Sequence, residues 1–167
     1  AKGYDHLDFL VNNAGVRPSF KPIDEETVKE YSEAMYTDEL GVFLGMKSCL
    51  YSLKNCCGNV VNVSSILAVS GAPGITTSVY HASKGAMTKS AASSWAKLGI
   101  RVNCVHPGTI ETPRLRDLNR EKLASTNPKG RIGKPEEIAS LIAFLGSSDA
   151  SFMTGSECIC DGGQLAS

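Results

Sequence analysis

The sequence predicts an α/β fold built on a parallel sheet, with helices on both of its faces. Three observations lead there. Short β-rich runs, "LDFLV" (7–11), "NVVNV" (59–63) and "IRVNCV" (100–105), are mostly apolar rather than alternating, as in strands covered on both sides. Segments with helical signals, long enough to cross a sheet, separate them. Each strand is followed by hydrogen-bonding or glycine-containing residues: "NNAG", "SS" and "HPG".

The elements follow in order. "DEETVKEYSEAM" opens with acids, which suit the positive end of a helix dipole. "GVFLGMKSCLYSLK" continues helically toward Cys56. "YHASKGAMTKSAASSWAKL" is helical with small residues and is stopped by Gly99. "KPEEIASLIAFLG" has Pro135 at the first helical position, Glu136 and Glu137 in the first turn, and Gly146 as a stop. "SECICDGG" reads as a last strand ending in a turn. No repeat, linker or low-complexity tract interrupts the series, so residues 1–167 read as one domain.

Composition narrows the function classes. The chain has 167 residues, 42% hydrophobic and 20% charged, which describes a globular protein with a core. Seventeen Lys and Arg balance seventeen Asp and Glu, giving no basic excess of the kind that nucleic-acid or membrane-surface binding uses. No apolar run approaches the ~20 residues of a bilayer span, and the N-terminus lacks a signal-peptide pattern, so a cytoplasmic location is expected. The six cysteines form no CxxC pair and the three histidines lack ligand spacing. Buried or half-buried free thiols are expected, with no metal site.

In open parallel sheets, ligands sit beyond the carboxyl ends of the strands. The polar residues after each strand therefore mark one convergent site. Tyr80 and Lys84 in "SVYHASKGAM" are four apart, which on a helix puts a phenol and an ammonium on one face. A phenol has a pKa near ~10, and a neighbouring cation lowers it toward a range useful for proton transfer. Taken alone, YxxxK is more often ordinary helix surface. Ser65, at the end of "NVVNV", adds a hydroxyl able to hydrogen-bond a substrate oxygen.

With "LVNNAG" (10–15), "GVFLGMK" (41–47), "GNVVNVSS" (58–65), "YHASK" (80–84), "GIRVNCVHPGTIETP" (99–113), "RIGKPEEIA" (131–139) and "FLGSSDASFMTGSECICDGG" (144–163), the chain resembles the short-chain dehydrogenase/reductase family. The resemblance runs from one end to the other and implies a doubly wound, Rossmann-like sheet and an enzyme using NAD or NADP to interconvert a secondary alcohol and a ketone. It implies Tyr80 as general acid/base, Lys84 depressing its pKa and holding the nicotinamide ribose, and Ser65 positioning the substrate oxygen. Ser64 and Ser78 are weaker candidates for that serine. Asn13, Ala14 and Gly15 would line the adenosine side of the cofactor. Pro107, Gly108, Ile110 and Thr112 would close over the nicotinamide, with Ile110 offering its backbone to the carboxamide. The polar stretch 114–131 would cover the substrate. The partners implied are a small-molecule alcohol or ketone and further copies of the same chain, as a homodimer or homotetramer.

Three features depart from the family pattern. Asp38 stands where an asparagine usually anchors a relay water; a carboxylate accepts a hydrogen bond but does not donate one, and its charge can pair with Lys84. Ser65 lies fifteen residues before Tyr80 rather than the common thirteen. No TGxxxGxG turn precedes "LDFLV", so the chain reads as a portion of the fold that begins at the family's fourth strand, leaving that strand as an apolar edge. A second reading is a non-catalytic relative acting through helix-mediated oligomerisation. A serine hydrolase is disfavoured: SxxK would need serine at position 81, which is His81, and GxSxG does not occur.

Overall fold

A computed structural model describes residues 5–16, 21–70 and 86–166. Tyr80, Lys84 and Ser78 therefore lie outside the described residues. Four strands, β1 (Phe9–Asn12), β2 (Asn59–Val63), β3 (Arg101–Pro107) and β4 (Glu157–Cys160), form one sheet in that order, and every neighbouring pair is parallel. Parallel neighbours need crossovers, and helices supply them. They are α1 (Val28–Met35), α2 (Gly41–Cys56), α3 (Ala86–Trp95), α4 (Arg120–Ser125) and α5 (Pro135–Gly146).

The register fixes the two faces. Leu10 and Asn12 align with Val60 and Asn62, which align with Val102 and Cys104. Their side chains face α2 and α3, and Met46, Leu53, Val60, Ala91, Ala92, Ile100 and Val102 form that core. Ala91 and Ala92 are small enough to bring α3 close to the sheet. On the opposite face, Ile138, Leu141, Ile142 and Leu145 of α5, spaced three and four apart, pack on Val61, Val105 and Phe9. The strands are apolar on both faces because helices cover both.

Two element starts differ from expectation. The acids at 24–26 precede α1 rather than opening it, because Thr27 and Glu30 form a capping box: Glu30 N–H donates to Thr27 Oγ1 at 3.2 Å, and Thr27 N–H to Glu30 Oε2 at 2.9 Å. β1 begins two residues later than "LDFLV" and takes in Asn12. Gly99 does end its helix, at φ +75°, after a 3₁₀ turn over Ala96–Leu98. Gly146 is the last residue of α5 rather than a cap. It permits close approach instead, since a Cβ there would stand 2.6 Å from the Phe9 ring.

All six cysteines are free, but Cys57 is exposed, not buried or half-buried, because it caps α2 in the left-handed region at φ 53°. Burial pushes the Cys104 thiol up to about 11, with the Thr88 and Ser64 hydroxyls beside it pulling the other way. At neutral pH it is a core thiol. Among the described residues no helix is long and apolar enough to cross a membrane, and no cluster of His, Cys, Asp and Glu could hold a metal ion.

One buried amide ties the sheet to the chain ahead of β4. Asn103 Nδ2 donates to Met153 O at 2.8 Å, and its Oδ1 accepts from Ser156 N–H at 3.1 Å. Asn103→Leu keeps the branching of the side chain but orphans both backbone groups, so a loss of about 1–3 kcal/mol is expected by denaturant unfolding.

Candidate active site

The carboxyl ends of β1, β2 and β3 lie along one edge of the sheet, and the polar residues after each strand meet there. Asn13 and Ala14 are exposed at the end of β1. Asp38 holds the segment that follows. It sits in a single π-helical turn, Tyr36–Leu40, between α1 and α2, where the extra residue per turn re-aims a side chain. Asp38 is fully buried, and its Oδ1 accepts the Val16 N–H at 2.9 Å. It thus anchors the Asn13–Val16 segment; the pairing with Lys84 lies outside the described residues.

Ser65 follows β2 and caps a 3₁₀ turn, Ile66–Ala68, its Oγ accepting Leu67 N–H at 3.2 Å. That bond uses an oxygen lone pair and leaves the hydroxyl proton available to a ligand. The Ser65 carbonyl is held from β3 by His106, whose Nδ1 lies 2.9 Å away. Since a carbonyl only accepts, Nδ1 carries the proton. Ser64 is buried one residue earlier.

Beyond β3, the loop from Pro107 to Thr112 is held from three sides. Gly108 N–H donates to Cys160 O at 3.1 Å, and a Cβ on Gly108 would lie 2.8 Å from the Asp161 Cα, so only glycine fits. Ile110 bridges Gly133, with Glu111 N–H donating to Gly133 O at 2.8 Å and Gly133 N–H to Thr109 O at 2.9 Å. Gln164 Oε1 faces the Thr109 amide and hydroxyl, each at 3.4 Å. Thr112 stands exposed at the rim.

The polar stretch 114–131 is not a free surface segment. It contains α4, Arg120 pairs with Glu111, and buried Asn127 donates from Nδ2 to Asp161 O at 2.7 Å. Arg131 then grips Glu137 through two bonds, 2.8 and 2.6 Å, while Lys134 N–H donates to Glu137 at 2.7 Å. The Arg131 guanidinium, and after it the Lys134 amide, holds the Glu137 carboxyl down from 4.5 to about 2. A depressed carboxylate contributes stability above its ordinary value, lost as pH falls through its folded one, so this tether is complete above about pH 4.5 and released toward pH 2. A carboxyl NMR titration should place the Glu137 midpoint near 2, and Arg131→Ala should move it back toward 4.5. An unchanged midpoint in the variant would remove Arg131 as the cause.

Several residues here escaped sequence reasoning. Asn12 Nδ2 donates to Asn62 Oδ1 at 2.8 Å, and Asn62 Nδ2 to Thr88 Oγ1 at 3.0 Å. This buried chain links β1, β2 and the first turn of α3. The available signal was an asparagine near the carboxyl end of each of two apolar strands. Gly45 makes room for it, because a Cβ there would meet Asn12 Oδ1 at 2.6 Å.

A sequence profile described as enoyl-(acyl carrier protein) reductase matches residues 1–164. The chain belongs to the short-chain dehydrogenase/reductase family. Cyclopentanol dehydrogenase of Comamonas testosteroni is 40% identical over 97% of this short-chain dehydrogenase/reductase chain and 67% of its own. An NADP-dependent (R)-specific alcohol dehydrogenase of Lentilactobacillus kefiri is 39% identical over 94% of the chain and 66% of its own. The solved structure of ElxO with NADP bound superposes with a TM-score of 0.91 at 33% identity, covering 99% of this chain and 70% of that one. The chain thus spans about two thirds of the length of these relatives.

NAD or NADP is the cofactor of the short-chain dehydrogenase/reductase family, and the described residues fit such a group. The Asn13–Val16 segment, pinned by Asp38, and the loop Pro107–Thr112, pinned by Gly133 and Cys160, border the same strand-end edge. Ala14, Gly15 and Gly108 are small residues that let a ligand approach the backbone there.

Proposed function

We propose that this chain carries the catalytic and substrate side of an NAD(P)-dependent oxidoreductase that interconverts a secondary alcohol and a ketone. One observation supports this reading above the others. The Asn62–Thr88 hydrogen bond seats the start of α3 against β2, three residues before Ser65, and Thr88 follows Lys84 by four residues. The helix that YxxxK leads into therefore packs at the strand end that carries Ser65.

In this reading Ser65 donates its hydroxyl proton to the substrate oxygen and stabilises charge developing on it. Tyr80 moves the proton to or from that same oxygen, and the Lys84 ammonium keeps the phenolate accessible. Asn13, Ala14 and Gly15 hold the adenosine side, while Lys84, Pro107, Gly108, Ile110 and Thr112 hold the nicotinamide side. NAD(P), when bound, supplies the acceptor or donor of hydride at C4 of its nicotinamide. Asp38 acts one step removed, fixing the Asn13–Val16 segment through the Val16 amide. The relatives named for cyclopentanol and for (R)-specific alcohols favour a small secondary alcohol as substrate.

Self-association belongs to the same proposal. Tyr36, Phe43 and Tyr51 are exposed along the π-turn and α2, with Lys47 Nζ 5.5 Å from the Phe43 ring centre. Such a stripe suits a second copy of the chain. Sedimentation of the purified protein should give a dimer or tetramer, and Phe43→Glu with Tyr51→Glu should shift it toward monomer.

The function itself is tested by mixing the purified protein with NAD⁺ or NADP⁺ and a panel of cyclic and acyclic secondary alcohols. Reduced nicotinamide should accumulate with at least one pair, and Ser65→Ala should slow it by about 10²-fold or more. Equal rates for wild type and Ser65→Ala would remove Ser65 from the site.

A further inference from the structure

The seam between β2 and β3 ends in a polar pair that the reaction does not use. Val63 aligns with Val105, and Ser64 N–H donates to Val105 O at 2.8 Å. Continuing the register by one residue sets Ser64 opposite His106, on the face that carries Asn62 and Cys104. Both side chains are buried, His106 completely. His106 Nδ1–H is engaged by the Ser65 carbonyl, so its Nε2 presents a lone pair. No hydrogen bond of ordinary geometry reaches His106 Nε2 or Ser64 Oγ among the described residues, the Cys104 thiol being only a weak neighbour of Ser64.

Two buried, unpaired polar atoms on adjacent strands are costly when nothing satisfies them. Their chemistry is complementary, because one is an acceptor and the other a hydroxyl that can donate. A direct bond between them is not made. The Thr88 and Ser64 hydroxyls beside the Cys104 thiol make the surroundings polar rather than apolar, which is the condition for a buried water.

We propose that Ser64 and His106 enclose a buried water-binding site beneath Ser65. The water accepts from Ser64 Oγ–H and donates to His106 Nε2. This locks the imidazole in its Nδ1–H tautomer and so keeps the Ser65 carbonyl bonded to β3. His106 is then a positioning residue for Ser65, acting through the peptide rather than on substrate.

Three measurements on the purified protein test this without reading activity. A high-resolution crystal structure should contain one ordered water within hydrogen-bond distance of both atoms; a direct Oγ–Nε2 bond or an empty seam overturns the proposal. Histidine ¹⁵N spectra should show His106 protonated at Nδ1 and bare but hydrogen-bonded at Nε2, whereas the opposite tautomer overturns it. Ser64→Ala should lower the thermal midpoint, because it strips the water of a donor. Were the site dry, the same substitution would delete an orphaned hydroxyl and leave the midpoint unchanged or higher. The tests stand apart from the proposed reaction: an active enzyme without the water, or the water in an inactive protein, would separate the two.

Discussion

Tyr80→Phe should abolish turnover while leaving the fold and cofactor binding in place. The substitution removes one oxygen and keeps the ring. A proton donor or acceptor positioned at the reacting oxygen contributes about 10²–10⁴-fold, so kcat should fall by at least that range. Cofactor affinity, read by quenching or enhancement of nicotinamide fluorescence, should change by no more than a few-fold, because the proposal gives the ribose to Lys84 and only the proton to the Tyr80 hydroxyl. Lys84→Met should lose both properties together. Such a split between kcat and binding would assign the proton to the phenol and the positioning to the ammonium. Tyr80→Phe with wild-type turnover would mean that another group handles the proton.

The second large effect lies in the core. Leu53 is fully buried on α2 and packs with Val60, Ile100 and Val102 under the α2–α3 face of the sheet. Leu53→Ala removes that contact and leaves a cavity that the surrounding strands fill only partly. A loss of about 2–5 kcal/mol is expected, from a total that for domains of this kind is only about 5–15 kcal/mol. Gly58 sharpens the effect: a Cβ there would already lie 2.9 Å from Leu53 Cδ2 and 2.4 Å from Leu7 O, so β1, β2 and α2 meet at a point with no slack. Denaturant unfolding of Leu53→Ala should show a lower midpoint with an unchanged slope. A change under about 1 kcal/mol would mean that this face of the sheet can collapse onto the space.

Much of this architecture was legible in the residues. Apolar runs that did not alternate gave three of the parallel strands, "SECICDGG" gave the fourth, and all four begin within two residues of the observed bounds. Pro135 with Glu136 and Glu137 located the start of α5, because proline at the first position and acids in the first turn have few other uses. Residues after strand ends marked the edge where Asn13, Ser65 and Gly108 stand, since a parallel sheet leaves ligands no other open place.

What escaped was the polar interior. Asn12, Asn62, Thr88 and His106 sit at positions where periodicity asks for apolar side chains, and only register brings them together. Asp38 takes the place of the relay-water asparagine in the family pattern, which marks it as a candidate catalytic residue. The geometry adds a tether to Val16 that depends on the π-turn, which no spacing rule encodes. The family resemblance makes the stretch 114–131 a cover for the substrate; its end is fixed by Asn127, which reaches Asp161, and by Arg131, which holds Glu137. Local chemistry was visible in each case; the partner was not, and for Asn12, Asp38, Asn62, His106 and Asn127 it stands tens of residues away.

The central claim is that Ser65, Tyr80 and Lys84 converge beside the nicotinamide. It is tested most directly by a crystal structure of the protein with NADP and a secondary alcohol. The hydroxyl oxygens of residues 65 and 80 should both stand within about 3 Å of the alcohol oxygen, with the Lys84 ammonium on the ribose. Side chains of 80 and 84 directed to separate surfaces, or Ser65 remote from the alcohol, would contradict the account and leave only the shared fold.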